Sequence, residues 1–331
     1  MNSMNPVTFK LEAEFAHEAP LMSCAFDAGG RFVFAGGRDR SILAVRLDSA
    51  KKILLVGHES WVGAMVRAGD VVLTADFAGR VIAWDSSGQE PKPRWTIDAH
   101  PSTIYGLSAS ADGKTFATGD RDGLVRIWQT DDGVLLHELP RNEFPVYGVA
   151  LHPDGRRIVI ADRQPKKPRV QVWEAASGKQ LLSIDVAELS GYRSVEDIEW
   201  GGIRALVLSP DGTQIVACGR NGYDGQGCVM VYETSSGKLQ RKWTESLKGG
   251  FYYSAKFDSQ ALLMTAGGDI AKGEFRCWKL NESKSVVGIA TLGPCLGLDV
   301  HPDGSRVAVA QAMGKKSAPE SGLLSVYRPA T

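Results

Sequence analysis

Apolar residues fall in short runs along this chain, and the same pair of runs recurs from one end to the other. One run, a Gly-containing turn and a second run make up LSASADGKTFATGD from Leu107, VALHPDGRRIVIAD from Val149, LVLSPDGTQIVACG from Leu206 and LDVHPDGSRVAVAQ from Leu298. Runs this short, bounded by turn residues, predict strands joined as hairpins. The turn spelling has a physical reason. Pro153, Pro210 and Pro302 preset φ at the first turn position, Asp bonds back to nearby backbone, and Gly takes the left-handed position. AFDAGGRFVFAGG from Ala25 is a looser copy. A third strand follows each hairpin: VIAWD to Asp85, VRIWQ to Gln129, VQVWE to Glu174, VMVYE to Glu233, FRCWK to Lys279 and LSVYR to Arg328, each ending on an aromatic. ILAVR to Arg46 is a seventh without the aromatic, so seven units are expected.

Composition supports an all-β reading. Gly outnumbers Pro by 37 to 15, as frequent tight turns require, and 43% apolar residues suffice for a buried core. The length of 331 residues fits either two domains or one closed all-β domain, and the repeat favours a single domain over 1–331. With 38 basic and 38 acidic side chains, no global field draws the chain toward phosphate backbones or anionic lipid, so neither nucleic acid nor a membrane is an expected partner. MNSMNPVTFK has no cationic start followed by an apolar run, as a secretory signal would. Cys24, Cys218, Cys228, Cys277 and Cys295 form no CxxC pair and sit in strand-like stretches, which is the pattern of buried reduced thiols in a cytoplasmic protein. Cys218 and Cys228 are the one pair that could face each other across a hairpin.

The aromatic-ended strands resemble those that close on Trp-Asp in WD-repeat proteins, and the resemblance covers essentially the whole chain. Only Trp84-Asp85 spells the dipeptide, but Trp84 to Trp128 is 44 residues and Trp128 to Trp173 is 45, against roughly 40–45 for a four-stranded blade. The resemblance implies a seven-bladed β-propeller of four-stranded antiparallel blades, and the chain's own spacing adds an insertion at about 186–202, VAELSGYRSVEDIEWGG from Val186, in the fifth repeat. A ring of sheets must close, and VTFKLEAEF, from Val7 to Phe15, is expected to supply the missing outer strand of the last blade.

The resemblance also implies a hydrogen-bonded set: a His before the first strand, a Ser or Thr in the second, an Asp in the following turn and the Trp of the third. His100, Thr118, Asp122 and Trp128 match it in full. His58, Thr74 and Trp84 match in the second unit, where Ala78 at the Asp position is expected to leave His58 without that partner. The first unit keeps His17 and Asp39, and units four to seven lack the His. A hydrolytic triad is the competing reading of such residues. It is set aside because Thr118 falls inside a paired strand, where its hydroxyl is satisfied internally. His152 and His301 fall in hairpin turns and are expected at the surface, and His137 is isolated.

No G-x-S-x-G elbow, Walker loop, H-E-x-x-H or paired-Cys site occurs, so neither catalytic residues, a metal nor a cofactor is expected. Counting back from the hairpins puts Met22, Gly63, Tyr105, Tyr147, Arg204, Tyr253 and Leu296 at one equivalent position near the upper end of the channel. None is a carboxylate or His, which counts against a channel-metal hydrolase or lactonase. Three Tyr and an Arg at that rim, with Trp61, Phe77, Phe144 and Phe251 nearby, suggest an aromatic socket for a protein or peptide. The candidate partner-binding residues are Trp61, Phe77, Tyr105, Tyr147, Arg204, Phe251 and Tyr253. A small cationic ligand read by the Tyr cluster is an alternative.

Enlarged loops on the same face point there too: RQPKKPR after Asp162, RNGYDGQG after Gly219, GDIAKGE after Gly267 and AMGKKSAPESG after Gln311. Arg163, Lys166, Lys167, Arg169, Lys315 and Lys316 form a basic sector beside acidic Glu188, Glu196, Asp197 and Glu199. The sequence thus predicts a non-catalytic scaffold, monomeric outside a complex, using its upper face over blades four to seven.

Overall fold

The computed structural model describes residues 8–193, 198–199, 202–222, 225–248, 250–315 and 318–330. Each pair of apolar runs forms an antiparallel hairpin, as in Ser108 opposite Ala117, and the third and outer strands complete a four-stranded sheet. Seven such sheets follow in chain order over 21–55, 62–98, 104–138, 146–185, 202–248, 251–291 and 295–329. The last contributes only three of its own strands. Phe9–His17 pairs with Ala318–Pro329, from Phe9 opposite Pro329 to His17 opposite Gly322, and becomes the fourth. The closing strand was expected from Val7, which lies outside the described residues, and it runs two residues past Phe15.

Strands buried on both faces need apolar neighbours on both sides, and the ring supplies them. The buried side chains fall into seven clusters, each shared by two adjacent blades. Phe34 and Ile42 of the first blade pack with Trp84 of the second, and Leu43 and Val45 pack with Ala308, Ala310 and Leu324 of the seventh. A fully buried Leu, Ile or Phe contributes about 1.5–3 kcal/mol. Because every cluster straddles a boundary, each sheet draws its stability from its neighbours.

The lower hairpin turns add polar latches. His152 and His301 were expected at the surface, yet they are 5% and 9% exposed. His152 Nε2 lies 3.0 Å from the Gly212 carbonyl of the next blade, and His301 Nε2 lies 3.0 Å from that of Gly30 in the first blade. A turn exposed within its own blade is covered once the next blade leans on it. Gly30 has φ +63° and a Cβ there would come within 2.0 Å of the His301 ring, so only Gly fits.

All five cysteines are buried and free. Cys218 sits opposite Val229 and Cys228 opposite Gly219, so the two belong to opposite faces of the sheet and to different clusters. The segment after Gln311 is a continuation of the hairpin rather than a loop: Val307–Lys315 and Ala318–Pro329 stay paired to Lys315 opposite Ala318. The insertion ahead of the fifth blade begins with a 3-10 turn, Ala187–Leu189, that buries Leu189 between blades four and five, followed by the short pair Tyr192–Arg193 and Ile198–Glu199. Among the described residues no helix is long and apolar enough to cross a membrane.

Candidate functional site at the channel mouth

The buried His sets come first, because they decide which polar residues are free to act. In the third blade His100 Nδ1 lies 3.0 Å from Asp120 Oδ2 and Nε2 lies 2.6 Å from Thr118 Oγ1, which also accepts the Trp128 indole N–H at 2.8 Å. The second blade repeats this with His58, Asp76 at 3.0 Å, Thr74 at 2.7 Å and Trp84 at 2.9 Å. Two expectations are corrected. Asp122 is an exposed turn residue outside the set, and His58 keeps its carboxylate partner although Ala78 stands in the turn. Thr118 and Asp120 are two apart on one strand and therefore share a face, whereas Asp122 lies beyond the strand end. Burial would raise Asp76 and Asp120, but the His bond and backbone N–H donors outweigh it and hold both below the usual carboxylate range.

The first blade departs from this arrangement. Gly37 stands where Asp76 and Asp120 stand, and His17 instead bonds the turn residue Asp39 at 3.0 Å. The later blades retain fragments: Trp278 donates to Thr265 at 2.8 Å, and Asp162 accepts from Arg169 Nε and Gln171 Nε2, both at 2.8 Å. Except for the exposed Asp39 and the half-buried His17 and Arg169, these groups are buried.

The channel mouth is built differently. Every one of the seven innermost strands carries a register shift near its upper end: Leu21/Ser23, Val62/Ala64, Ile104/Gly106, Val146/Gly148, Ile203/Ala205, Tyr252/Ser254 and Cys295/Gly297. The skipped residues are Met22, Gly63, Tyr105, Tyr147, Arg204, Tyr253 and Leu296, the positions counted from the hairpins. A bulge leaves its extra residue out of the ladder and re-aims the side chain. All seven line a central cavity of about 150 Å³.

A second ring, not recognised from the sequence, surrounds the first. The residue one past the second-strand partner of the residue before each bulge is Arg38, Phe77, Arg121, Arg163, Arg220, Gly268 or Ala312, placed by the register at equivalent points; the first four follow their strand and the last three still lie within theirs. Its backbone N–H reaches the residue preceding the inner strand, as in Arg38 to Pro20, Phe77 to Trp61, Arg121 to Thr103 and Arg163 to Pro145. Four Arg at one repeat position was the available signal.

The two rings interlock. Trp61 and Phe77 have ring centroids 5.7 Å apart, Phe77 meets the edge of Tyr105 at 5.8 Å, and Tyr105 stacks on Tyr147 at 4.2 Å. Arg163 lies 5.1 Å over Tyr147 and donates to its hydroxyl at 2.9 Å. Arg204 lies over both Tyr147 and Phe251, at 5.4 and 5.1 Å, and Phe251 contacts Arg220 at 5.3 Å and Tyr253 at 5.5 Å. At the other end Arg38 covers Trp61 at 4.9 Å and bonds Glu320 of the seventh-blade hairpin at 3.1 Å. All seven candidate residues thus join one arc from blade two to blade six. Phe144 stands apart beneath Arg169.

Burial and the neighbouring Tyr147 push Tyr105 up to about 12, whereas Tyr147 falls below the ordinary phenol value because Arg163, Tyr105 and Arg204 outweigh its burial. Burial and the like charge of Arg163 depress Arg204. Of the expected charge sectors, Lys166 and Lys167 are exposed, Arg169 turns in to Asp162, and Glu188 pairs with Lys242. Glu196, Asp197 and Lys316 lie outside the described residues. Among the described residues no three His, Cys, Asp or Glu gather closely enough to hold a metal ion.

Comparison with known proteins adds a family model described as WD domain, G-beta repeat, which matches residues 9–43 and 91–129. Both matches begin at or just ahead of an outer strand and end in the third strand of the next sheet, so the sequence repeat is offset from the blade. The periodic tryptophan protein 2 homolog of Schizosaccharomyces pombe is 28% identical over 46% of this chain and 18% of its own. An F-box/WD-40 repeat-containing protein of Arabidopsis thaliana is 27% identical over 71% of this chain and 43% of its own. WD repeat-containing protein slp1 of S. pombe is 20% identical over 78% of this chain and 50% of its own. The chain spans less than half the length of the first two of these relatives. With matched repeats, seven four-stranded blades and relatives of this kind, the chain is a seven-bladed propeller that carries WD repeats and is similar to WD-repeat proteins.

Proposed function

We propose that this chain is a non-catalytic scaffold that holds a protein or peptide on the upper face of its propeller. The observation carrying the reading is the unbroken arc of Trp61, Phe77, Tyr105, Tyr147, Arg204, Phe251 and Tyr253 around the channel mouth. Tyr, Trp and Arg dominate binding energy at protein interfaces, because Tyr and Trp bring large area with few rotatable bonds and Arg brings a planar fork of donors that stacks on aromatic faces. The arc is fixed by mutual stacking before any partner arrives, so little ordering cost remains. The 163–169 loop and the Glu320 hairpin rise beside it and extend the surface over the later blades.

Similarity to WD-repeat proteins supports the reading by analogy. Binding of a cationic ligand is disfavoured by the guanidinium groups already lying over Tyr147. The test is affinity capture from extracts of the encoding organism with the wild type and a Tyr147→Ala, Phe251→Ala double variant of unchanged fold. Loss of specific partners from the variant is expected. An unchanged partner set overturns the proposal.

A further inference from the structure

We infer that the group this mouth takes from its partner is an oxyanion, an acidic side chain held by Arg204 and Arg220. The inference rests on the scaffold reading and narrows it. The fourteen positions of the two rings include five Arg and not one Asp or Glu. Arg38 has Glu320, but among the described residues no carboxylate bonds Arg204 or Arg220. Both instead lie over the Phe251 ring, at 5.1 and 5.3 Å. A ring face attracts the cation without accepting from its in-plane N–H donors, and among the described residues Arg204 has beside it only the Tyr147 hydroxyl as an acceptor. The Nε atoms of Arg204 and Arg220 are buried without a hydrogen-bond partner.

A buried donor without an acceptor is costly, and like charges set close together add to the cost. A carboxylate or phosphoryl group offers several acceptor lone pairs in the planar geometry that guanidinium matches, and its charge relieves the repulsion between Arg163 and Arg204. Nearby acids do not already serve. Asp269 Oδ1 accepts the Ala271 and Lys272 N–H groups of its own turn at 2.7 and 2.8 Å, and Asp299, lower in the channel, accepts the Phe26 N–H at 2.8 Å and sits 3.8 Å from Lys256. The cavity of about 150 Å³ admits one side chain and excludes a helix or strand. The partner is therefore read by a single acidic residue inserted at the mouth, with the aromatic arc packing the flanking chain.

Thermal denaturation in glutarate or inorganic phosphate, each against sodium chloride at matched ionic strength, tests this on the wild type, Arg204→Gln, Arg220→Gln and Arg94→Gln. Arg94 is already bonded to Asp70 and serves as the control. The wild type and Arg94→Gln should gain Tm from the oxyanions beyond chloride, and the two mouth variants should lose that gain. Arg204→Lys, which keeps the charge but not the planar fork, should keep only part of it. A stronger response to glutarate assigns a carboxylate, and one to phosphate a phosphoryl group. No response in the wild type, or an equal response in Arg204→Gln, overturns the inference. Partner loss in the Tyr147/Phe251 variant without an oxyanion response leaves the scaffold standing and removes the oxyanion. A response with an unchanged partner set does the reverse.

Discussion

Replacing Asp120 by Ala removes three bonds at once: Oδ2 to His100 at 3.0 Å, and the N–H donors of Asp122 and Leu124 that reach Oδ1 at 2.9 and 2.8 Å. His100 is left buried with an unpaired Nδ1, beside Thr118 and Trp128 that depend on its position. Each donor left buried without its acceptor costs about 1–3 kcal/mol, and with the two turn N–H groups partly regaining water the loss comes to about 3–5 kcal/mol. At about 2.1 cal/mol/K per residue, 331 residues give an unfolding entropy near 0.7 kcal/mol/K, so Tm should fall by about 4–7 °C. Asp122→Ala, in the exposed turn, should stay within about 0.5 kcal/mol of wild type. Calorimetry on both variants decides between the two carboxylates. The pH dependence gives a second sign. Asp120 is depressed in the folded state, so its contribution is present above the ordinary carboxylate value of about 4 and is lost as pH falls through the folded value. The gap between wild type and Asp120→Ala should therefore close in acid. Equal damage from both variants, or a gap that widens in acid, refutes the assignment.

Two further outcomes are expected. Gly30→Ala should be strongly destabilising in the wild type, where its Cβ would come within 2.0 Å of the His301 ring, and milder in His301→Ala, so a double-mutant cycle by urea denaturation should show coupling and an additive result would remove the latch. A colorimetric thiol reagent should titrate all five cysteines in denaturant and none in the native protein, because burial pushes Cys228, Cys277 and Cys295 up to about 12; fast native reaction of any one contradicts its burial.

What the sequence made legible followed from local rules. Turn chemistry at Pro153-Asp154-Gly155 and its copies fixed the hairpins, and counting back from them reached all seven bulge residues, because a bulge at the same place in every strand leaves the count unchanged. Errors arose wherever a residue's partner lay outside its own hairpin. His152 and His301 read as surface because their acceptors belong to the next blade. Asp122 stands in for Asp120 in the sequence reading because the resemblance implies a carboxylate in the turn, an arrangement that His17 and Asp39 of the first blade adopt where Gly37 replaces the strand Asp. Arg38, Arg121 and Arg220 went unnoticed because an Arg at or just past a strand end looks like ordinary surface charge until seven blades are superposed.

The strand that closes the ring also sets how the ring fails under load. Phe9 lies opposite Pro329, so the two ends of this pair leave the blade side by side. Tension applied between them acts on one backbone bond at a time, in the manner of a zip, rather than shearing the whole ladder together. Pulled there, the seventh blade should open first and at low force, and the clusters it shares with blades one and six go with it.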